Sequence, residues 1–242
     1  LSLHDALPIW LHGNLSHTPA EEVSAVIEEN GNSSCVVIKG KVRDAVIFGD
    51  KMCLEREIRC SYKERKITLK DKVTNEGFKR ARQMILYHCN IGYPVLSPDS
   101  EIFIPVLETK ARNAHAQEGI DSWMRVQKAD PDYEEMCYYH KLKPNEKNHS
   151  VAAVYNPKLN LGVAIEMDLS TLDHFIQWKM MGAGDYVMGL EPSNSTIDGI
   201  EDAVSNGSIK YLEPGETREY NLTFHILKGR EEFEELKTMT EK

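Results

Sequence analysis

Three residues, far apart in the chain, carry side chains of the kind that proton transfer needs. His12 sits in L-H-G, His88 in Y-H-C-N-I-G-Y-P and Glu191 in G-L-E-P-S-N. Histidine titrates near neutrality, and a carboxylate drawn partly out of water rises toward the same range. One base and one acid of this kind, on opposite sides of an acetal centre, are enough to open and close it. Glu191 is the most pointed of the three. It ends a short strand expected over Tyr186–Leu190 and stands immediately before Pro192. Proline lacks an N–H and pushes the preceding residue toward extended backbone, so the carboxylate rests on a stiff support. Glutamate is rarely buried unpaired, because desolvation disfavours its charged form. Glu191 is therefore either a solvated rim residue or a group placed for use. His12 also reads as a turn residue bonding its neighbours, His88 as a structural strand-end histidine, and Cys89 as a small buried hydrophobe.

Other chemistries lack their motifs. The chain has no G-x-S-x-G, no P-loop and no G-x-G-x-x-G, and Gly182-Ala183-Gly184 is too short to cradle a phosphate. It has neither H-E-x-x-H nor a closely spaced Cys/His cluster, so no metal site is expected.

The elements that must position these groups read as strands. Val23–Glu29 alternates weakly before the turn Asn30-Gly31-Asn32, and Ser34–Val42 follows as a strand. Met52–Tyr62 and Lys66–Thr74 alternate around the charged turn Lys63-Glu64-Arg65. Further strands are expected over Arg82–Asn90, Glu101–Val106, Met136–Leu142, Ser150–Asn156, Leu161–Met167 and Gly207–Leu212. From Glu108 to Tyr133 the chain is polar and irregular, with Trp123 as its one large anchor. Ile200–Asn206 reads as one or two helical turns. Thr217–Leu227 alternates apolar Tyr220, Leu222, Phe224 and Ile226 with polar neighbours, a half-buried strand. Many short strands and little helix predict an all-β fold, a large antiparallel β-sandwich.

Composition narrows the partners. A length of 242 residues suits one large β domain. The net charge of −9 argues against nucleic acid, which selects basic surfaces. No apolar run approaches the roughly 20 residues that span a bilayer, so no membrane partner is expected. The five cysteines form no C-x-x-C pair and are odd in number, which fits reduced thiols and a cytoplasmic location. Six glycosylation sequons occur, one of them at Asn194 beside Glu191, where a glycan would block a site. Residues 1–9 show neither a signal-peptide layout nor a strand pattern and read as a non-native or disordered leader. Residues 10–228 read as the sandwich domain and 229–242 as a charged tail, either a surface helix or frayed.

Several segments resemble the galactose mutarotase superfamily, in particular its aldose 1-epimerase-like branch. They are L-H-G-N-x-S-x-T-P-A, V-R-D-A-V-I-F-G with L-E-R-E-I, V-T-N-E-G-F, Y-H-C-N-I-G-Y-P-V-L and Q-W-K-M-M-G-x-G-D-Y-V-M-G-L-E-P-S-N, in that order over about Leu11 to Leu227. The last is the most specific. Family members start well upstream, so an N-terminal part of the fold is expected to be missing. The resemblance implies a β-supersandwich and an isomerase that interconverts sugar anomers without a cofactor, as a monomer or homodimer. It makes Glu191 the base that takes the anomeric hydroxyl proton, His88 the acid that protonates the ring oxygen, and His12 the second histidine holding the sugar. Trp178 then reads as a stacking surface for a sugar face, or as core. Lys179 and Arg43 read as binders of a carboxylate, phosphate or hydroxyl, or as surface cations, and Asn194 as a further sugar contact. The usual N-H-S-Y-F-N-L is here Y-H-C-N-I-G-Y-P, and Asp185 and Asp173 are the aspartates within reach of a sugar-gripping role. A carbohydrate-binding sandwich without turnover, and an isomerase or lyase for an acidic or oxidised sugar, stand as alternatives.

Overall fold

A computed structural model describes residues 13–31 and 33–238. In chain order the elements are β1 (Glu21–Asn30), β2 (Ser33–Ala45), β3 (Lys51–Ser61), β4 (Lys66–Asn75), β5 (Ala81–Gln83), β6 (Cys89–Gly92), β7 (Glu101–Phe103) and β8 (Val106–Ala111). Helix α1 (Ala114–Glu118) precedes β9 (Met136–Leu142), β10 (His149–Asn156), β11 (Leu161–Asp168), β12 (His174–Met181) and β13 (Tyr186–Ser193). Then come α2 (Ile200–Ser205), β14 (Lys210–Leu212), β15 (Thr217–Lys228) and α3 (Arg230–Thr238). An eight-stranded sheet in the order β1-β2-β3-β4-β15-β11-β10-β7 faces a five-stranded sheet in the order β6-β13-β12-β9-β8, and β5 and β14 form a small pair. Every strand pairing is antiparallel. The fold is the large antiparallel β-sandwich that the strand pattern predicts.

The core lies between the two sheets. Ala152, Val154, Ile165, Met167 and Leu222 of the large sheet pack in one cluster with Phe175, Met181, Met188 and Leu190 of the smaller one. The other face of the large sheet is polar at one end and covered at the other. Lys41, Glu55, Lys72 and Glu219 stand in direct register across β2, β3, β4 and β15, with ion pairs of 3.1 Å for Lys41–Glu55 and 3.2 Å for Lys72–Glu219. Opposite charges directly facing one another across neighbouring strands favour this pairing over like-charge alternatives. At the other end α3 places Phe233 and Leu236 against Val151, Ala153, Tyr155 and Leu227. The Phe233 ring stacks on Tyr155 at 4.9 Å, so the charged C-terminal segment has a docked apolar side.

The strand expected over 82–90 is divided. Ala81–Gln83 leaves to pair with β14, whereas 89–92 joins β13 in the five-stranded sheet. Asn194 fixes the crossover: its side chain accepts from Ile85 N–H at 2.9 Å and donates to Gln83 Oε1 at 2.7 Å, and its N–H donates to Ile85 O at 3.1 Å. The polar region expected to be irregular from Glu108 begins inside β8 and contains α1, capped by Asn113 Oδ1 on Ala116 N–H at 2.8 Å. Residues 174–181 show no alternation, yet they form β12. Its core-facing row, Phe175, Gln177, Lys179 and Met181, is buried yet holds two polar residues, while Ile176, Trp178 and Met180 on the other row are apolar, so no alternation reveals the strand.

Candidate active site

Strand β13 runs between β6 and β12, and the register fixes what surrounds Glu191. Cys89 pairs with Leu190 and Asn90 with Gly189, and an isolated bridge joins Leu86 to Ser193. Continued between those two points, the same register sets His88 opposite Glu191. On the other side Ile176 pairs with Glu191 and Trp178 with Gly189, and β9 adds Tyr139 beside Ile176 and Cys137 beside Trp178. Directly paired residues of an antiparallel sheet share a face. Glu191, His88, Ile176 and Tyr139 thus form one row and Gly189, Trp178 and Cys137 the next. Leu190 and Met188 point the other way, into the core. The candidate site is accordingly built on the face of the five-stranded sheet turned away from the core.

His88 Nε2 lies 3.1 Å from Glu191 Oε1, with side-chain exposures of 26% for the histidine and 4% for the glutamate. The approach has ion-pair distance without hydrogen-bond alignment, and Glu191 Oε1 has no hydrogen-bond partner among the described residues. Burial, reinforced by the charge of Glu135, raises the Glu191 pKa to about 7. A buried carboxylate left unsatisfied is a cost to folding, typically of about 1–3 kcal/mol. Gly189 makes the placement sterically feasible. A Cβ there would overlap Glu191 Oε1 and stand 3.1 Å from its carboxyl carbon. Trp178, half-buried, forms a wall: its ring meets the His88 imidazole edge-on, at 5.6 Å and 72°, and its indole N–H donates to Glu135 Oε2 at 2.6 Å.

The fold brings His88, Glu191 and Trp178 together. The expectation for His12 lies outside the described residues. Lys179, next to Trp178, points to the opposite face of β12. It is fully buried and donates to Arg125 O at 2.9 Å and Ser122 O at 3.3 Å, with burial lowering its pKa to about 8. Arg43 belongs to the eight-stranded sheet, where it pairs with Glu76 at 2.9 Å and also with Glu21. Asn194 is spent on the crossover described above and on Tyr220, whose hydroxyl accepts from it at 3.1 Å. Asp185 is exposed in the turn after Gly184, and Asp173 is held by His174 at 2.9 Å and Lys210 at 2.7 Å. Of the residues grouped with Glu191 on sequence alone, Lys179, Arg43, Asn194 and Asp185 are thus not assembled around it.

Two members of the site escaped sequence reasoning. Gly189 lies two residues before Glu191 on the same strand face, and that spacing was the available signal. Glu135 is one of two adjacent acids ahead of β9, and nothing in its type separates it from its neighbour. No group of three or more metal-ligating side chains occurs among the described residues.

Known proteins place this geometry in context. The family described as "Domain of unknown function (DUF4432)" matches residues 4–226. No curated protein matches the chain. Among solved structures, a "putative aldose 1-epimerase" from Klebsiella pneumoniae subsp. pneumoniae MGH 78578 superimposes with a TM-score of 0.89 at 23% identity, over 94% of this chain. This chain spans 61% of that protein's length. A galactose mutarotase-like protein from Clostridium acetobutylicum gives a TM-score of 0.62 at 14% identity, over 85% of this chain and 66% of that one. A second "putative aldose 1-epimerase", from Escherichia coli K12, gives a TM-score of 0.52 at 14% identity, over 85% of this chain and 68% of that one. At these identities the likeness is one of fold, and that fold is the galactose mutarotase-like sandwich.

Proposed function

We propose that this chain, which belongs to the DUF4432 family, is an isomerase of the aldose 1-epimerase type, acting on a monosaccharide or a sugar derivative, with Glu191 as general base and His88 as general acid. The observation that carries the reading is the His88–Glu191 pair: 3.1 Å apart, the glutamate buried with its pKa raised to about 7, and the histidine against an indole wall. A general base works best with a pKa near the operating pH, and burial has moved Glu191 there.

The anomeric hydroxyl oxygen and the ring oxygen of a cyclic sugar are bonded to one carbon. Two groups standing side by side can therefore serve both, although the sequence reading set base and acid on opposite sides of the acetal. Glu191 takes the anomeric hydroxyl proton while protonated His88 gives its proton to the ring oxygen. The C1–ring-oxygen bond breaks and C1 becomes an aldehyde. Rotation about C1–C2 turns the other carbonyl face toward the hydroxyl. On closure that hydroxyl attacks C1, its proton returns to His88, and Glu191 protonates the former carbonyl oxygen. The step balances and consumes nothing. Trp178 offers an apolar surface on which a sugar ring face can lie.

The reading of an acidic or oxidised sugar drew on Lys179 and Arg43, and neither stands at this pair. The test is anomer exchange by NMR or polarimetry across neutral aldoses, uronates and sugar phosphates, with wild type, Glu191→Gln and His88→Asn. Turnover should fall by about 10²–10⁴-fold in each variant while sugar binding by Glu191→Gln persists. An undiminished rate in Glu191→Gln would remove the base from this position. Binding by wild type without exchange of any sugar would leave a carbohydrate-binding sandwich.

A further inference from the structure

We infer that Glu135 is a positioning residue of this site: it fixes Trp178 as the wall beside His88. The inference rests on the proposed proton-transfer reading for its consequence in turnover, but its physical content can be measured without any sugar.

Glu135 stands in the residue just before β9, exposed, and reaches across the strand to accept the Trp178 indole N–H at 2.6 Å. A short bond from a donor to an ionised carboxylate is about twice as strong as a neutral one. Trp178 is held at its other end by the sheet. It is paired with Cys137 on one side and Gly189 on the other, and a Cβ at Gly189 would lie only 3.2 Å from its own Cβ. With its root fixed by register and its tip by Glu135, the indole has one pose, and in that pose its edge meets His88 at 5.6 Å. His88 in turn contacts Glu191 at 3.1 Å. Four side chains from four segments therefore form one continuous chain, with a carboxylate at each end.

The two carboxylates are like charges, and a like charge nearby disfavours ionisation. The charge of Glu135 adds to burial, the larger cause, in raising Glu191. The other titratable groups at Glu191 are His88 and the thiols of Cys89 and Cys137. Burial raises those thiols to about 12 and about 11, so they stay neutral at physiological pH. Tyr139, in the same row as Glu191, donates its hydroxyl to Asp198, which Arg112 also holds at 2.7 Å. Arg56 sits on the core side, bound by both oxygens of Asp71 at 2.8 and 2.7 Å. Among the described residues, then, Glu135 is the group whose charge can be changed without touching Glu191 or its contacts.

Glu135→Gln and Glu135→Ala separate charge from pose. Glutamine can still accept the indole N–H; alanine cannot. In the full chain, the Trp178 indole N–H resonance and the titration of the His88 imidazole, assigned with Trp178→Phe and His88→Asn, report pose and proton affinity directly. Glu135→Gln should keep the indole resonance and move the Glu191 titration, sensed at His88, to lower pH. Glu135→Ala should move both. With an anomerised sugar in hand, the acid limb of kcat/KM should move to lower pH in Glu135→Gln, with melting temperature unchanged. A midpoint and an indole resonance that stay put in Glu135→Ala would overturn the inference. So would a uniform loss of rate at every pH with an unmoved limb, the signature of a structural role. If wild type exchanges no sugar, the isomerase reading fails, and the titrations alone still decide the role of Glu135.

Discussion

Gly189 and Glu191 share one strand face, and the carboxylate of Glu191 lies over Gly189 in the space a Cβ would fill. Gly189→Ala should therefore displace the carboxylate, away from His88 or out toward solvent. Movement out toward solvent lowers the Glu191 pKa from about 7 toward the ordinary carboxylate value, because burial is its main cause. The expected outcome is a loss of turnover of about 10²-fold or more, as a misplaced catalytic group implies, with a stability change of about 1–3 kcal/mol from overpacking. A variant with wild-type kcat would show that the carboxylate need not rest where it does.

Glu191 also predicts how stability follows pH. Its folded pKa is raised from 4.5 to about 7, so between those values the folded chain holds a proton that the unfolded chain has lost. Stability then falls as pH rises through that window, by up to about 3 kcal/mol for a shift of this size. Glu191→Gln cannot titrate and should lack this decline. Denaturant melts of both proteins at pH 5 and pH 8 supply the comparison. Parallel pH dependences would mean that Glu191 is not held protonated in the fold.

Asn194 is where a residue grouped with the site serves the scaffold instead. It is fully buried and holds Ile85 N–H, Gln83 Oε1 and the Tyr220 hydroxyl. Asn194→Ala would leave these groups without their partner, a loss of about 2–4 kcal/mol by ordinary costs of buried unsatisfied groups. The crossover it fixes delivers the segment leading to His88, so turnover should fall along with the melting temperature. A drop below about 0.5 kcal/mol, the size of a neutral surface change, would contradict the role given to this latch.

The sandwich was legible because its exposed strands alternate. Tyr220, Leu222, Phe224 and Ile226 mark β15 plainly, and β3 and β4 carry the same period. β12 was hidden because its buried row carries polar Gln177 and Lys179 while its other row carries apolar Ile176, Trp178 and Met180. The break in the strand expected over 82–90 was hidden because the signal for it lies in Asn194, more than a hundred residues away. Glu191 and His88 could be singled out by residue type and by the support of Pro192. That they stand opposite one another follows from the β6–β13 register, which no local pattern encodes. Lys179 shows the limit from the other side. Its neighbour Trp178 lies on the site face, and the period of two then sends Lys179 to the opposite one.

Lys179 gives the last test, since it separates a sugar-binding cation from a buried strut. The ammonium is fully buried and donates to the carbonyls of Ser122 and Arg125, and desolvation lowers its pKa from 10.5 to about 8. Here the sign is opposite to that of Glu191. Between pH 8 and 10.5 the unfolded chain keeps a proton that the folded chain has released, so wild-type stability rises with pH across that window. The rise is bounded at about 3 kcal/mol. Lys179→Met keeps the length of the side chain, removes the charge and leaves the two carbonyls without this donor. It should abolish the rise, be less stable than wild type at pH 10, and close part of that gap at pH 7, where wild type carries the buried charge. Sugar affinity should be unaffected at either pH. An affinity loss in a variant whose melting curve and pH slope match wild type would return Lys179 to the binding site and require that it reach the Glu191 face in the bound state.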